Sequence, residues 1–217
     1  MDYPSDYSPL RPGGTPLTRR LLALGGELRG RRVLDLGCGR GETAALLARE
    51  YGAVVTGADL SEERIRECRE MCPDGTFAAA DAGDLPFADG TFDAVVSECC
   101  FSVFPAPETA LGEAYRVLAA GGRLLISDLW QRGALPAGRG MVRNLYSRRT
   151  WEDMLAAAGF CVTAFADAGD ALTELYIQMI LDLGREGAAR AMGLCLEKEE
   201  MKQVSYMLLA AGKNRED

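Results

Sequence analysis

The chain has 217 residues, a net charge of −8, and 48% apolar against 26% charged residues. That balance is ordinary for a soluble globular protein with one full core, and its acidity provides no basic face to displace counterions from nucleic acid. There is no histidine, which excludes histidine triads and histidine metal ligands and leaves carboxylate, Tyr, Cys, Lys or water as a general base.

Seven cysteines, irregularly spaced and without a CxxC pair, suit free thiols in a reducing compartment better than a disulfide framework or a zinc site. No window approaches the roughly 18 apolar residues of a membrane span. The opening MDYPSDYSPLRPGG lacks the basic-then-apolar pattern of a signal peptide. A cytoplasmic protein with no membrane partner and no metal is expected.

Residues 1–14 read as an extended arm in which Tyr3, Tyr7 and Arg11 could close over a ligand. Thr15-Pro16 starts a helix as cap and first position, with Leu17, Leu21, Leu24 and Leu28 on its apolar face. Arg32–Leu36 is a first strand that runs into Gly37-Cys38-Gly39-Arg40-Gly41, and a helix follows over Glu42–Tyr51, closed by Gly52. Ala53–Ala58 is a second strand ending at Asp59, and Ser61 caps a helix over Glu62–Met71. Cys68 and Cys72, four residues apart on that helix, are core residues that could pair. Thr76–Ala80 is a third strand, ending at Asp81-Ala82. Phe92–Ser97 is a fourth, leading into Glu98-Cys99-Cys100. A helix over Pro107–Leu118 closes on a glycine turn at Ala120–Gly122, and Arg123–Asp128 is a fifth strand. The segment 131–149 is rich in arginine and reads as a solvated charge run. Thr150 with Asp153 resembles a capping box. Phe160–Phe165 is a sixth strand, two helical stretches span 170–183 and 187–202 with an interruption at Gly193, and Ser205–Ala211 is a last strand.

Alternating strands and helices require a parallel sheet covered on both faces. Ligands then bind beyond the carboxyl ends of the strands. The glycine loop departs from the dinucleotide fingerprint, because Glu42 stands where a third small residue is needed, and no Gly-Lys-Ser/Thr follows for a phosphate loop. Asp35 beneath the loop suits a cationic ligand. Asp59, about 20 residues further on, stands where a carboxylate accepts two ribose hydroxyls.

VLDLGCGRG, read with Asp59, Asp81 and Ser97 at successive strand ends, resembles the class I S-adenosylmethionine (SAM)-dependent methyltransferases over residues 31–130, and the final SYMLLAAGK resembles their inserted last strand. The resemblance implies a doubly wound, seven-stranded, mostly parallel sheet with helices on both faces and an antiparallel last strand. It implies a single domain: an arm and helix over 1–30, a cofactor-binding core over 31–169, a helical insertion over 170–203 and a last strand over 204–212. It assigns Gly37, Cys38 and Gly39 to the methionine part and ribose of SAM, and Asp35 to its amino group. Asp59 goes to the ribose, Leu60 to packing on the adenine, Asp81 and Ala82 to the adenine edge, and Ser97 to the amino-acid tail.

The implied activity is in-line methyl transfer to a small-molecule acceptor, with the insertion suited to covering the acceptor pocket or forming a homodimer interface. Glu98 is a candidate base. Ser97-Glu98-Cys99 is similar to the Ser-Asn-Cys segment of arsenite methyltransferases, which makes Cys99 a candidate as well, although Glu98 replaces Asn and no cysteine occurs in the arm or in 131–149. Two other readings stay open: a SAM-binding partner or sensor without turnover, and an NAD(P)-dependent oxidoreductase.

Overall fold

The computed structural model describes residues 11–133, 142–192 and 202–214. In chain order the elements are α1 (Gly14–Ala23), β1 (Arg32–Leu36), α2 (Glu42–Tyr51), β2 (Val54–Asp59), α3 (Glu62–Met71), β3 (Thr76–Ala79), β4 (Phe92–Glu98), α4 (Pro107–Val117), β5 (Leu118–Gln131), α5 (Arg148–Ala157), β6 (Phe160–Asp167), α6 (Gly169–Ala191) and β7 (Val204–Lys213). Among these residues the strands form a seven-stranded sheet in the order β3-β2-β1-β4-β5-β7-β6. Neighbours from β3 to β5 are parallel, and β7 lies antiparallel between β5 and β6. This is the doubly wound sheet with an antiparallel last strand expected above.

The pleat explains the two cores. Val33 and Val96 face one side of the sheet with Leu21, Leu47, Ile65 and Met179 of α1, α2, α3 and α6. Leu34 and Val95 face the other with Leu111 of α4 and Trp151 of α5. Adjacent residues go to opposite faces, so strands buried on both sides read as continuous apolar runs. The chain winds outward from β1 to β3, then returns past β1 to β4. The connections diverge between β1 and β4 and open a crevice at the carboxyl ends of those strands.

Several local expectations are corrected. Helix α1 begins at Gly14 behind Gly13, which has φ 69°, and not at a Thr15 cap. A Cβ at Gly13 would crowd Leu17 and Ala171, so glycine there lets Arg11-Pro12 turn tightly against α1 and α6. Ser147 caps α5 by accepting from the Thr150 N–H at 3.1 Å, one turn before the expected capping box. Helix α4 passes directly into extended chain at Leu118, which already pairs with Phe92, so the glycine turn interrupts β5 and does not close the helix. Helix α6 breaks at Gly184 (φ 72°, ψ 170°); the expected break at Gly193 lies outside the described residues, as do Tyr3 and Tyr7. Cys68 approaches Cys38, Sγ to Sγ 3.4 Å, and Cys72 is buried in the same core.

Candidate active site at the β1–β4 crevice

The glycine loop is stapled to the end of β2. The N–H groups of Gly37 and Cys38 both donate to the Ala58 carbonyl, at 2.7 and 3.0 Å. Gly37 has φ 77°, and a Cβ there would run into the Cys100 Sγ, so only glycine permits this approach of β1's loop to the segment after β4. Asp59 completes the staple: one carboxylate oxygen accepts from the Gly39 N–H at 3.0 Å and the other from the Ser61 N–H at 3.0 Å. Ser61 then caps α3 through the Arg64 N–H at 3.3 Å.

Beyond this loop lies a cleft of about 250 Å³, lined by Gly37, Asp59, Leu60, Asp81 and Ala82 among others. Leu60 is 74% exposed and forms an open apolar platform. Asp81, which lines the cleft, accepts from the Gly83 N–H at 2.8 Å. The remaining expected cofactor residues do not line this cleft. Cys38 is buried against Cys68, and Gly39 enters through its N–H bond to Asp59. Ser97 is fully buried, and its hydroxyl donates to the Leu36 carbonyl at 3.0 Å, fixing the backbone where the glycine loop begins.

Asp35 lies beneath the loop, 2% exposed. Its Oδ2 has no hydrogen-bond partner among the described residues. Burial, and next the Glu98 carboxylate, push its pKa up to about 8, against the opposing pull of Arg11 and the Ala44 N–H. A carboxyl held this way is poised to ionise when a cation arrives.

At the end of β4, the Glu98 side chain is 8% exposed. It accepts from the hydroxyls of Thr43 at 2.7 Å, Thr18 at 3.1 Å and Ser127 at 3.1 Å, and it meets the Arg11 guanidinium at 3.5 Å. Arg11 also donates to Thr43 at 2.6 Å, so the residue expected to act as part of a lid is anchored at the crevice. Cys99 has φ 57°, an uncommon conformation for a residue with a side chain. Its sulfur lies 2.8 Å from the Tyr206 hydroxyl. Burial pushes both the Cys99 and Cys100 thiols well up, which keeps them protonated and unsuited to thiolate chemistry.

A second, smaller cavity of about 110 Å³ sits on the other side of this turn, with Pro12, Cys99, Asp128, Leu175, Met192 and Tyr206 in its wall. Leu175 of helix α6 forms part of that wall. Asp128 is fully buried; its oxygens accept from the N–H groups of Ser102 at 3.0 Å and Leu129 at 2.7 Å, and burial raises it to about 6. Val103 lines both the cleft and this cavity.

Thr18, Thr43, Ser127, Asp128 and Tyr206 were missed by the sequence reading. Ser127-Asp128 could have been found as polar residues ending the apolar run RLLI; Thr18 and Tyr206 carried no signal. In the basic segment, Arg132, Arg148 and Arg149 pair with Asp167, Glu152 and Asp153 of this chain.

Comparison with known proteins places the chain among enzymes. The family described as "Methyltransferase domain" matches residues 34–126. The chain is 31% identical to methyltransferase GfsG of Streptomyces halstedii, over 97% of this chain and 84% of that one. It is 30% identical to O-methyltransferase cnsE of Penicillium expansum, over 96% of this chain and 81% of that one. Among solved structures it superimposes on a geranyl diphosphate methyltransferase in complex with SAM, TM-score 0.76 at 20% identity, covering 91% of this chain and 84% of that one.

Proposed function

The chain belongs to the class I SAM-dependent methyltransferases acting on small molecules, and we propose that it carries the methyl group of SAM to a largely apolar acceptor held under α6. The observation that carries this reading is the shared wall. Val103 borders both cavities, and the consecutive residues Cys100 and Cys99 border the cleft and the acceptor-side cavity respectively.

The residues at and beneath the cleft fit SAM. A buried carboxyl with an unpartnered oxygen suits the cofactor's ammonium, which would hold Asp35 in its ionised form. The Gly37–Gly39 backbone offers close approach. Each Asp59 oxygen accepts one N–H and keeps a second lone pair for a ribose hydroxyl. Leu60 offers a face to adenine, and Asp81 with the Ala82 N–H offers an edge. Ser97 acts by fixing the Leu36 carbonyl. Bound SAM supplies an electrophilic methyl and its own leaving group. The protein contributes alignment of an in-line approach and exclusion of water. Glu98 serves as proton acceptor, and Cys99 as part of the acceptor's wall and not as a nucleophile.

The test is calorimetric titration with SAM and S-adenosylhomocysteine (SAH), followed by SAH release with small hydroxyl, amine and thiol acceptors. Binding with release is expected. Binding without release from any acceptor would identify a silent SAM-binding protein. No binding by folded protein would overturn the reading, and a titration with NADH would then test the oxidoreductase alternative.

A further inference from the structure

The buried polar groups behind the acceptor-side cavity form a connected chain of hydrogen bonds. The Ser127 hydroxyl donates to Glu98 Oε2 at 3.1 Å. With that proton engaged, Ser127 Oγ accepts from the Tyr206 hydroxyl at 3.0 Å. The Cys99 sulfur lies 2.8 Å from Tyr206 Oη at the cavity end of the chain. Cys99 and Tyr206 border the cavity, whereas Ser127 and the Glu98 carboxylate lie behind it. Strand pairing brings these residues together, because Leu129 of β5 stands opposite Tyr206 of β7 and places Ser127 two residues away on the same face of β5.

Resting on the methyltransferase reading, the geometry points to a hydroxyl relay, Tyr206 to Ser127 to Glu98, that takes up the acceptor's proton, and to a neutral hydroxyl as the group methylated. The acceptor's O–H bond breaks as its O–CH₃ bond forms. The electron pair of the broken carbon–sulfur bond stays on the cofactor's sulfur. The acceptor's proton goes to Tyr206 Oη, the proton of Tyr206 to Ser127 Oγ, and that of Ser127 to Glu98 Oε2. One cationic sulfonium and one carboxylate are replaced by neutral groups, so the buried region ends with no net gain of charge. A relay places the base one wall away from the acceptor, which keeps the cavity apolar.

The lining selects the acceptor class. Among the described residues no Lys or Arg borders the cavity, while Asp128 does. An anionic acceptor such as a carboxylate or thiolate would place its charge beside Asp128 with no protein cation among the described lining residues to oppose it. A neutral hydroxyl meets no such cost, and it is the acceptor type that needs its proton removed.

Phenol and pyridine test this. The two are similar in size and neutral, but pyridine has no proton to lose on methylation. With SAM and the full chain, wild type is expected to methylate phenol. Tyr206→Phe and Ser127→Ala are each expected to lower the ratio of phenol to pyridine rates by at least about tenfold, while SAH titration still shows binding. An equal fall for both probes would make these residues structural only and overturn the relay, as would an unchanged ratio. Phenol left unmethylated by wild type would overturn the hydroxyl assignment. The accompanying SAM titration distinguishes the two failures: binding retained leaves the methyltransferase reading standing, and binding absent removes it as well.

Discussion

The Asp59 carboxylate accepts the backbone N–H of Gly39 at 3.0 Å. This bond ties the glycine loop after β1 to the end of β2, so one side chain both shapes the cleft and faces it. Asp59→Ala should therefore weaken SAM binding by at least about 1 kcal/mol, from lost charge-assisted hydrogen bonds. Calorimetric titration checks this, and unchanged affinity would remove Asp59 from the ribose assignment.

Asp35 predicts a pH dependence. Its pKa is raised from 3.8 to about 8 in the folded protein. Between those values the folded state binds more protons than the unfolded state, so stability falls as pH rises through this window. Asp35→Asn should accordingly gain stability relative to wild type at pH 8 and gain little at pH 4, as read by thermal unfolding. Binding has the opposite sign. A cationic ligand requires the ionised form, so wild-type SAM affinity should gain on Asp35→Asn by up to about tenfold per pH unit on approaching pH 8, then level off. A difference that is flat across pH 6 to 9 would contradict the ammonium assignment.

Gly37→Ala tests the approach of the loop to the segment after β4. The substitution places a Cβ at φ 77° and against Cys100 Sγ. Denaturant unfolding should show a loss of about 1–3 kcal/mol. The double variant Gly37→Ala/Cys100→Ala should recover the steric part and keep the backbone part, so the two changes should be non-additive. Additive losses would mean that the clash is relieved elsewhere.

Ser147→Ala should cost about 1 kcal/mol, because Ser147 accepts from the Thr150 N–H at the start of α5. Thr150→Ala should cost less, since it keeps the backbone N–H on Ser147 and loses only the Thr150 Oγ1 contact to Ser147 Oγ at 2.9 Å. A reversed order in thermal unfolding would restore the capping box expected at Thr150.

Much of the fold was legible because its signals are local. Glu42–Tyr51 and Glu62–Met71 are helices over the expected residues, since Gly41, Gly52 and Ser61 mark their ends. The acids and glycines at the ends of β1, β2 and β3 could be placed together because parallel topology sends every such strand end to one edge. The acceptor side was less legible. Thr18 and Tyr206 reach Glu98 and Ser127 across sequence separations of 80 and 79 residues, and no periodicity encodes which polar side chain of a helix or strand turns inward. Ser97 shows the converse limit. Its position at a strand end suggested a ligand contact, whereas its hydroxyl is engaged by Leu36, a choice made by the register of β4 on β1.

The measurement that tests the account most directly is a crystal structure of the chain with SAH. The account predicts the ribose hydroxyls on Asp59, the adenine over Leu60 with its edge at Asp81 and Ala82, and the ammonium against Asp35 Oδ2. SAH bound elsewhere, or seated in the cleft with Asp35 Oδ2 still lacking a partner, would contradict it.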